Sequence, residues 1–128
     1  MEKQHVKSYR DLEVWQRGID LVQVAYGLGE KLPKSESYGL LSQLQRAVVS
    51  VPANVAEGHA RKSSKEFLQF ISIALGSLAE VETYFHIMER LRYIHSSEIE
   101  RALEKTEQLG KMLRGLQRTI KEKVKGGE

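Results

Sequence analysis

The sequence predicts an all-α fold, an antiparallel up-down-up-down four-helix bundle. Apolar residues recur at alternating spacings of three and four along four stretches, the period of helices with a buried face. Breaks at residues 32–35, 57–64 and 93–97 divide those stretches. Short connections of this kind make successive helices antiparallel neighbours. Proline occurs twice and cysteine not at all in the 128 residues. Few prolines disfavour a turn-rich β-sandwich. The lack of cysteine excludes disulfides, thiolate zinc sites, iron–sulfur clusters and a cysteine nucleophile. The length suits one domain over residues 1–128.

The first helix is predicted over about residues 11–31. Leu12, Trp15, Ile19, Val22 and Tyr26 form one apolar stripe, and Val14, Leu21, Ala25 and Leu28 a second. Ser8 and Asp11 read as a capping pair. The second helix is predicted over 36–58. Leu41, Leu44, Val48, Val51 and Val55 keep one phase through Pro52, which predicts a kink rather than a stop. Gly58 is a candidate C-cap. The third helix is predicted over 64–92, with Phe67, Ile71, Ala74, Leu78, Val81, Phe85 and Met88 in heptad register. Ser63 and Glu66 make a capping box for it. Its small residues Ala74, Gly76, Ser77 and Ala79 predict a close helix approach, because a helical glycine costs about 1 kcal/mol relative to alanine. The fourth helix is predicted over 97–125, on Ile99, Ala102, Thr106, Leu109, Leu113, Leu116 and Ile120, with Ser97 and Glu100 as its capping box. His59 and His95 are expected at helix C-termini.

Hydrophobic residues make up 41% and charged residues 29%, so the composition is neither disordered nor membranous. No run approaches the roughly 18 apolar residues of a membrane span. The N-terminus is charged, with no apolar segment behind it. A soluble, cytoplasmic protein with no membrane partner is the expectation. The net charge is a modest +3, which excludes a histone-like binder but not a local basic patch.

Residues carrying catalytic chemistry are sparse. Glu2 and His5 have the spacing of a di-iron bundle motif, but alone. His86, with Glu82 and Glu89, reads as a surface salt-bridge cluster before a metal edge. Glu57, Glu80, Glu82 and His86 are the only acid–base candidates, and no phosphate loop or nucleophile elbow accompanies them. No catalytic residues, metal ligands or cofactors are therefore assigned.

A polar row, Arg46, Ser50 and Asn54, recurs every four residues on the second helix, with Glu57 a turn on. Buried charges need partners, so Arg46 is expected to pair with Glu80 or Glu57. Arg46, Asn54, Glu57 and Glu80 are read as a polar core or an interface. The basic constellation is sharper. Lys111, Arg114, Arg118, Lys121 and Lys125 form a stripe on the fourth helix, expected beside its apolar face. Residues 105–125 hold seven basic and two acidic groups, so nearly all the excess positive charge lies there. Arg61, Lys62 and Lys65 make a second cluster before the third helix. Such surfaces contact phosphate backbones without reading sequence. No aromatic residues interleave with the stripe, so a base-stacking platform is not indicated. Val14, Trp15, Leu21, Leu28, Phe70 and Ile87 exceed what one four-helix core holds, which predicts a homo-oligomer.

Several longer runs carry a family resemblance. They are residues 9–16 (YRDLEVWQ), 38–58 (YGLLSQLQRAVVSVPANVAEG), 65–67 (KEF) and 74–83 (ALGSLAEVET). Together they resemble the four-helix-bundle proteins encoded in intervening sequences of bacterial large-subunit ribosomal RNA genes. That family is similar to the accessory variability determinant of diversity-generating retroelements. The resemblance implies a bundle assembled as a homopentameric ring. It suggests binding of RNA, and of a reverse transcriptase, through a basic surface. It supplies no catalytic residues.

The leading functional expectation is a non-catalytic oligomeric nucleic-acid-binding protein, with structured RNA favoured and DNA the alternative ligand. A protein-interaction adaptor docking a partner such as a reverse transcriptase is the second reading. An enzyme is the third.

Overall fold

The computed structural model describes residues 6–127. Its helices are α1 (Glu13–Gly29), α2 (Leu40–His59), α3 (Ser64–Arg90) and α4 (Ser96–Lys125), with short 3-10 turns at Tyr9–Asp11 and Lys34–Glu36. The described residues contain no strand. Each helix packs on its neighbours in chain order, and α4 closes against α1. Diagonal helices do not approach each other closely.

Cross-helix contacts show the antiparallel register. Gly18 lies against Pro52, and Gly29 against Leu41. Ser50 meets Ser77, and Tyr84 reaches Gln43. Thr106 bonds Glu82, and Gln117 reaches Ser72. Lys31, just beyond α1, bonds Glu98 in the first turn of α4. The core runs through this stack, with Leu21, Leu44, Val48, Val51, Val55, Ile71, Val81, Phe85, Met88, Ile99, Leu109 and Leu113 wholly buried. Each such side chain contributes about 1.5–3 kcal/mol on burial. Thr106 is buried among them, and its hydroxyl has Glu82 Oε2 and the Leu103 carbonyl as acceptors at 2.8 Å.

The helix ends refine the predicted boundaries. The capping pair Ser8 and Asp11 closes the first 3-10 turn, and α1 begins only at Glu13. The expected start of the second helix falls in the turn Lys34–Glu36. The Glu36 carboxylate accepts from the Leu40 amide at 3.1 Å and the Tyr93 hydroxyl at 3.0 Å, and α2 starts at Leu40. α2 then runs through Pro52 without stopping. Ser63 caps α3 as expected, accepting from the Glu66 amide at 3.1 Å. His95 is not at a C-terminus. It is the N-cap of α4, where Nδ1 accepts from the Ser97 amide at 3.2 Å, the task expected of Ser97 itself. α3 ends in a Schellman arrangement, with Tyr93 N–H bonding the Met88 carbonyl and Arg92 left-handed at φ 61°.

Gly58 is no C-cap, since the helix continues to His59. Its value is space: a Cβ there would lie 2.6 Å from Phe70 Cβ and 2.8 Å from Phe67 Cδ1. Of the apolar residues expected to exceed the core, Val14, Leu21 and Leu28 are buried. Trp15 is half-buried, edge-on to Tyr9 at 5.3 Å, and Phe70 is half-buried under the Arg61 guanidinium at 4.9 Å. Ile87 stays exposed. Ala74 and Ser77 make the expected close approach, while Gly76 and Ala79 face outward.

Three measurements follow from these ends and contacts. Gly58→Ala overpacks the α2–α3 crossing and should lower stability by about 1–3 kcal/mol in urea unfolding. Arg92→Gly relieves the left-handed backbone and should raise stability by about 1 kcal/mol. Lys31 holds the Glu98 carboxyl below the ordinary glutamate range by hydrogen bonding. Its contribution is therefore present above that range and lost as pH falls through the lowered value. Tyr93 is the reverse: its hydrogen bond to Glu36 raises it, so its contribution is full below the ordinary tyrosine range and lost at more alkaline pH. Melting temperatures of Glu98→Gln should fall less than wild type between pH 6 and pH 3, at roughly the glutamate titration.

Candidate nucleic-acid interface

The site is built on the second half of α4. Its core residues Leu109, Leu113, Leu116 and Ile120 set which face turns inward. Lys111 and Arg118 then fall about 170° from that seam, Lys125 about 150°, Arg114 about 130° and Lys121 about 110°. All five are exposed. The stripe is therefore on the outer surface of α4 rather than beside the apolar face. Among the described residues the ion pairs are Arg17–Glu13, Lys31–Glu98 and Arg61–Glu57, so the stripe is free of them. Two glycines lie beneath its arginines. An added Cβ at Gly110 would come within 3.2 Å of the Arg114 guanidinium, and one at Gly115 within 3.7 Å of that of Arg118.

Helix electrostatics account for part of this pattern. Basic residues suit a helix C-terminus, but the effect fades within the last turn. It covers Lys123 and Lys125, not Lys111, Arg114 and Arg118.

The antiparallel register unites the two basic clusters. Residue 106 of α4 meets 82 of α3, and 117 meets 72. Carried on, this register puts Lys123 and Lys125 level with residues 63–65. Lys62 and Lys65 are exposed there, with no ion pair among the described residues. Arg61 is more committed, pairing with Glu57 at 2.7 Å while lying over Phe70. Lys7 and Arg10, at the start of α1, belong to the same end and were missed from the sequence. No local pattern marks them, because only the fold packs the N-terminal turn on α2 at the end of the bundle where α4 finishes. The other half of α4 carries Glu98, Glu100, Glu104 and Glu107, so one end of the bundle is basic and the other is not.

The expected polar core does not form. Arg46 and Glu80 are exposed, face the same open groove between α2 and α3, and make no ion pair among the described residues. Glu57 pairs within its own helix, with Arg61. The link between α2 and α3 is a hydroxyl pair, Ser50 Oγ to Ser77 Oγ at 2.8 Å, and Asn54 Nδ2 donates to the Ser50 carbonyl and Oγ. The physical reason is drift. A spacing of four advances about 40° round a helix, so the row runs from solvent at Arg46 to the core at Gly58.

Glu2 and His5 lie outside the described residues. Among those described, no three histidine or acidic side chains gather where they could hold a metal ion. Glu82 is engaged by Thr106, and His86 is exposed beside Ile87 and Leu91. No described helix is long and apolar enough to cross a membrane.

The fold and this surface define the class: an all-α four-helix protein with a strongly basic end. The pattern of the 23S rRNA-intervening sequence protein family matches residues 10–115, and the chain belongs to that family. A crystal structure from Bacteroides thetaiotaomicron, a protein of unknown function from the S23 ribosomal protein family, has the same fold at a TM-score of 0.75. It is 21% identical, and the match covers 80% of this chain and 96% of that one. No curated protein matches.

Proposed function

We propose that this chain is a non-catalytic nucleic-acid-binding protein that holds structured RNA through the basic end of its bundle. The observation that supports it is the exposed row Lys111, Arg114, Arg118, Lys121 and Lys125, whose far end lies level with Lys62 and Lys65, none of them in an ion pair among the described residues. Flexible, fully charged side chains without aromatic partners suit phosphates rather than bases. The part to be played by Arg61 is smaller, because Glu57 already holds it. The working form in this proposal is a homo-oligomeric ring, a homopentamer by the family resemblance, in which copies of the basic surface add their fields. The likeness to retroelement accessory proteins, a cytoplasmic location and the choice of RNA over DNA belong to the same proposal. Tyr38, 99% exposed at the opposite end, favours the adaptor reading as the alternative, with a protein such as a reverse transcriptase docked there.

Fluorescence anisotropy tests the proposal with a structured RNA and a matched DNA duplex over a salt series. RNA binding should weaken steeply with salt. The triple variant Lys111→Glu, Arg114→Glu, Arg118→Glu should cut the slope of log affinity against log salt by about 2–3. Unchanged affinity in that variant would remove the stripe as the site. No binding by the wild type at low salt would leave the adaptor reading.

A further inference from the structure

α3 and α4 leave a cleft of about 140 Å³ between them, at the head of the basic stripe. Leu75 and Leu78 of α3 form an aliphatic wall, and Glu82 closes one end. From α4, Glu107, Gly110 and Arg114 line it at spacings of three and four, the repeat of one helix face. The Arg114 side chain folds back by a turn, so that a Cβ on Gly110 would lie 3.2 Å from its guanidinium. The same Cβ would be in ordinary contact with Leu78, at 3.5 Å, so the packing of α4 on α3 does not call for a glycine. A helical glycine is destabilising relative to alanine. What this one leaves room for is the arginine and the cleft beside it.

The charged groups of the cleft are not engaged with one another. Glu82 is half-buried; its Oε2 lies 2.8 Å from the Thr106 hydroxyl, and its Oε1 has no hydrogen bond among the described residues. Glu107 and Arg114 share the cleft and make no ion pair among the described residues. An ionised carboxylate only accepts hydrogen bonds, and a guanidinium only donates them. An occupant must therefore present adjacent donors to the carboxylates, acceptors to the arginine and an apolar face to the leucines. Guanine is such a group. Its N1–H and amino group stand side by side, and O6 and N7 on the neighbouring edge are the pair that arginine binds bidentately. Adenine and cytosine set an acceptor beside their amino group, which a carboxylate repels. Uracil has one N–H between two carbonyls.

We infer that this cleft takes one unpaired guanine of the RNA, with Glu82 and Glu107 on its N1–H and amino group and Arg114 on O6 and N7. The guanine must be unpaired, because in a duplex its partner base occupies the same donors, and structured RNA offers free bases in loops and bulges. The stripe beyond Arg114 runs on through Arg118, Lys121 and Lys125 and holds the flanking phosphates. The cleft thus adds a base readout that phosphate contacts lack. The inference rests on the RNA reading proposed above and names the feature of the RNA that is read.

Fluorescence anisotropy of the full chain tests it, with labelled RNA hairpins that differ only at one loop position, guanine, inosine or adenine among uridines. The guanine hairpin should bind about tenfold tighter than the adenine hairpin, with inosine, which lacks the amino group, between them. Glu82→Gln combined with Glu107→Gln should bring that ratio close to one. Affinity for every hairpin should rise in this variant, since two negative charges near the phosphates are gone, so the ratio is the readout. Melting curves should show it folded, because Glu107 is exposed and a glutamine amide still offers Thr106 an acceptor. Glu107→Gln alone should lower the ratio part of the way. Arg118→Glu with Lys121→Glu should weaken all three hairpins alike and keep the ratio. Equal binding of guanine and adenine hairpins by the wild type overturns the guanine cleft and leaves the stripe as a sequence-blind site. A preference that survives the double glutamine variant places the readout elsewhere and overturns the cleft as well. Failure of every hairpin to bind at low salt overturns the RNA reading, and the cleft with it.

Discussion

The axial register of the helices is the constraint on which the rest of this molecule depends. It is fixed where backbones come close. Gly18 admits Pro52, and Gly58 admits Phe67 and Phe70. A methyl group would collide with the neighbour at Gly58 and press tightly on Pro52 at Gly18, so sliding one helix by a turn would push a larger residue into the crossing. Interiors packed at crystal-like density do not absorb such a shift. One register therefore prevails, and every surface feature takes its height from it.

Charge is sorted by the same constraint. Positive charge concentrates late in α4 and in the α2–α3 connection, segments far apart in the chain. An antiparallel stack brings them to one end. There they repel each other, a cost the core must offset, and a polyanion would relieve that repulsion. The other end carries the carboxylates of early α4 and the fully exposed Tyr38. Polarity along the bundle is thus a consequence of topology.

Buried polarity is handled without buried ion pairs among the described residues. The ion pairs among the described residues lie at the surface, where each contributes little, and the polar links inside or beside the core are hydroxyls, an amide and the half-buried Glu82 carboxylate. Ser50 and Ser77 join α2 to α3, with Asn54 donating to Ser50 from its own helix, and Thr106 joins α4 to Glu82 on α3. Neutral hydrogen bonds are much cheaper to desolvate than a buried arginine–glutamate pair. This economy explains why the expected pairing of Arg46 within the chain does not occur.

The sequence by itself determined the four helices, because periodic apolar residues such as those from Phe67 to Met88 bury one face only when the chain coils at that period. It also determined the cap at Ser63 and the two basic clusters, which are local patterns. It did not determine that His95 would cap α4, because an imidazole acceptor at an N-terminus is decided by the turn geometry that Arg92 and Tyr93 impose. Nor did it place Arg46 outside, since spacing by four says only that residues drift round the helix, not where the drift begins. Only the tertiary structure decided that the clusters share an end, that Lys7 and Arg10 join them, and that Gly76 faces outward. Those facts depend on which helices pair and at what height, and that information lies in contacts between residues distant in the chain.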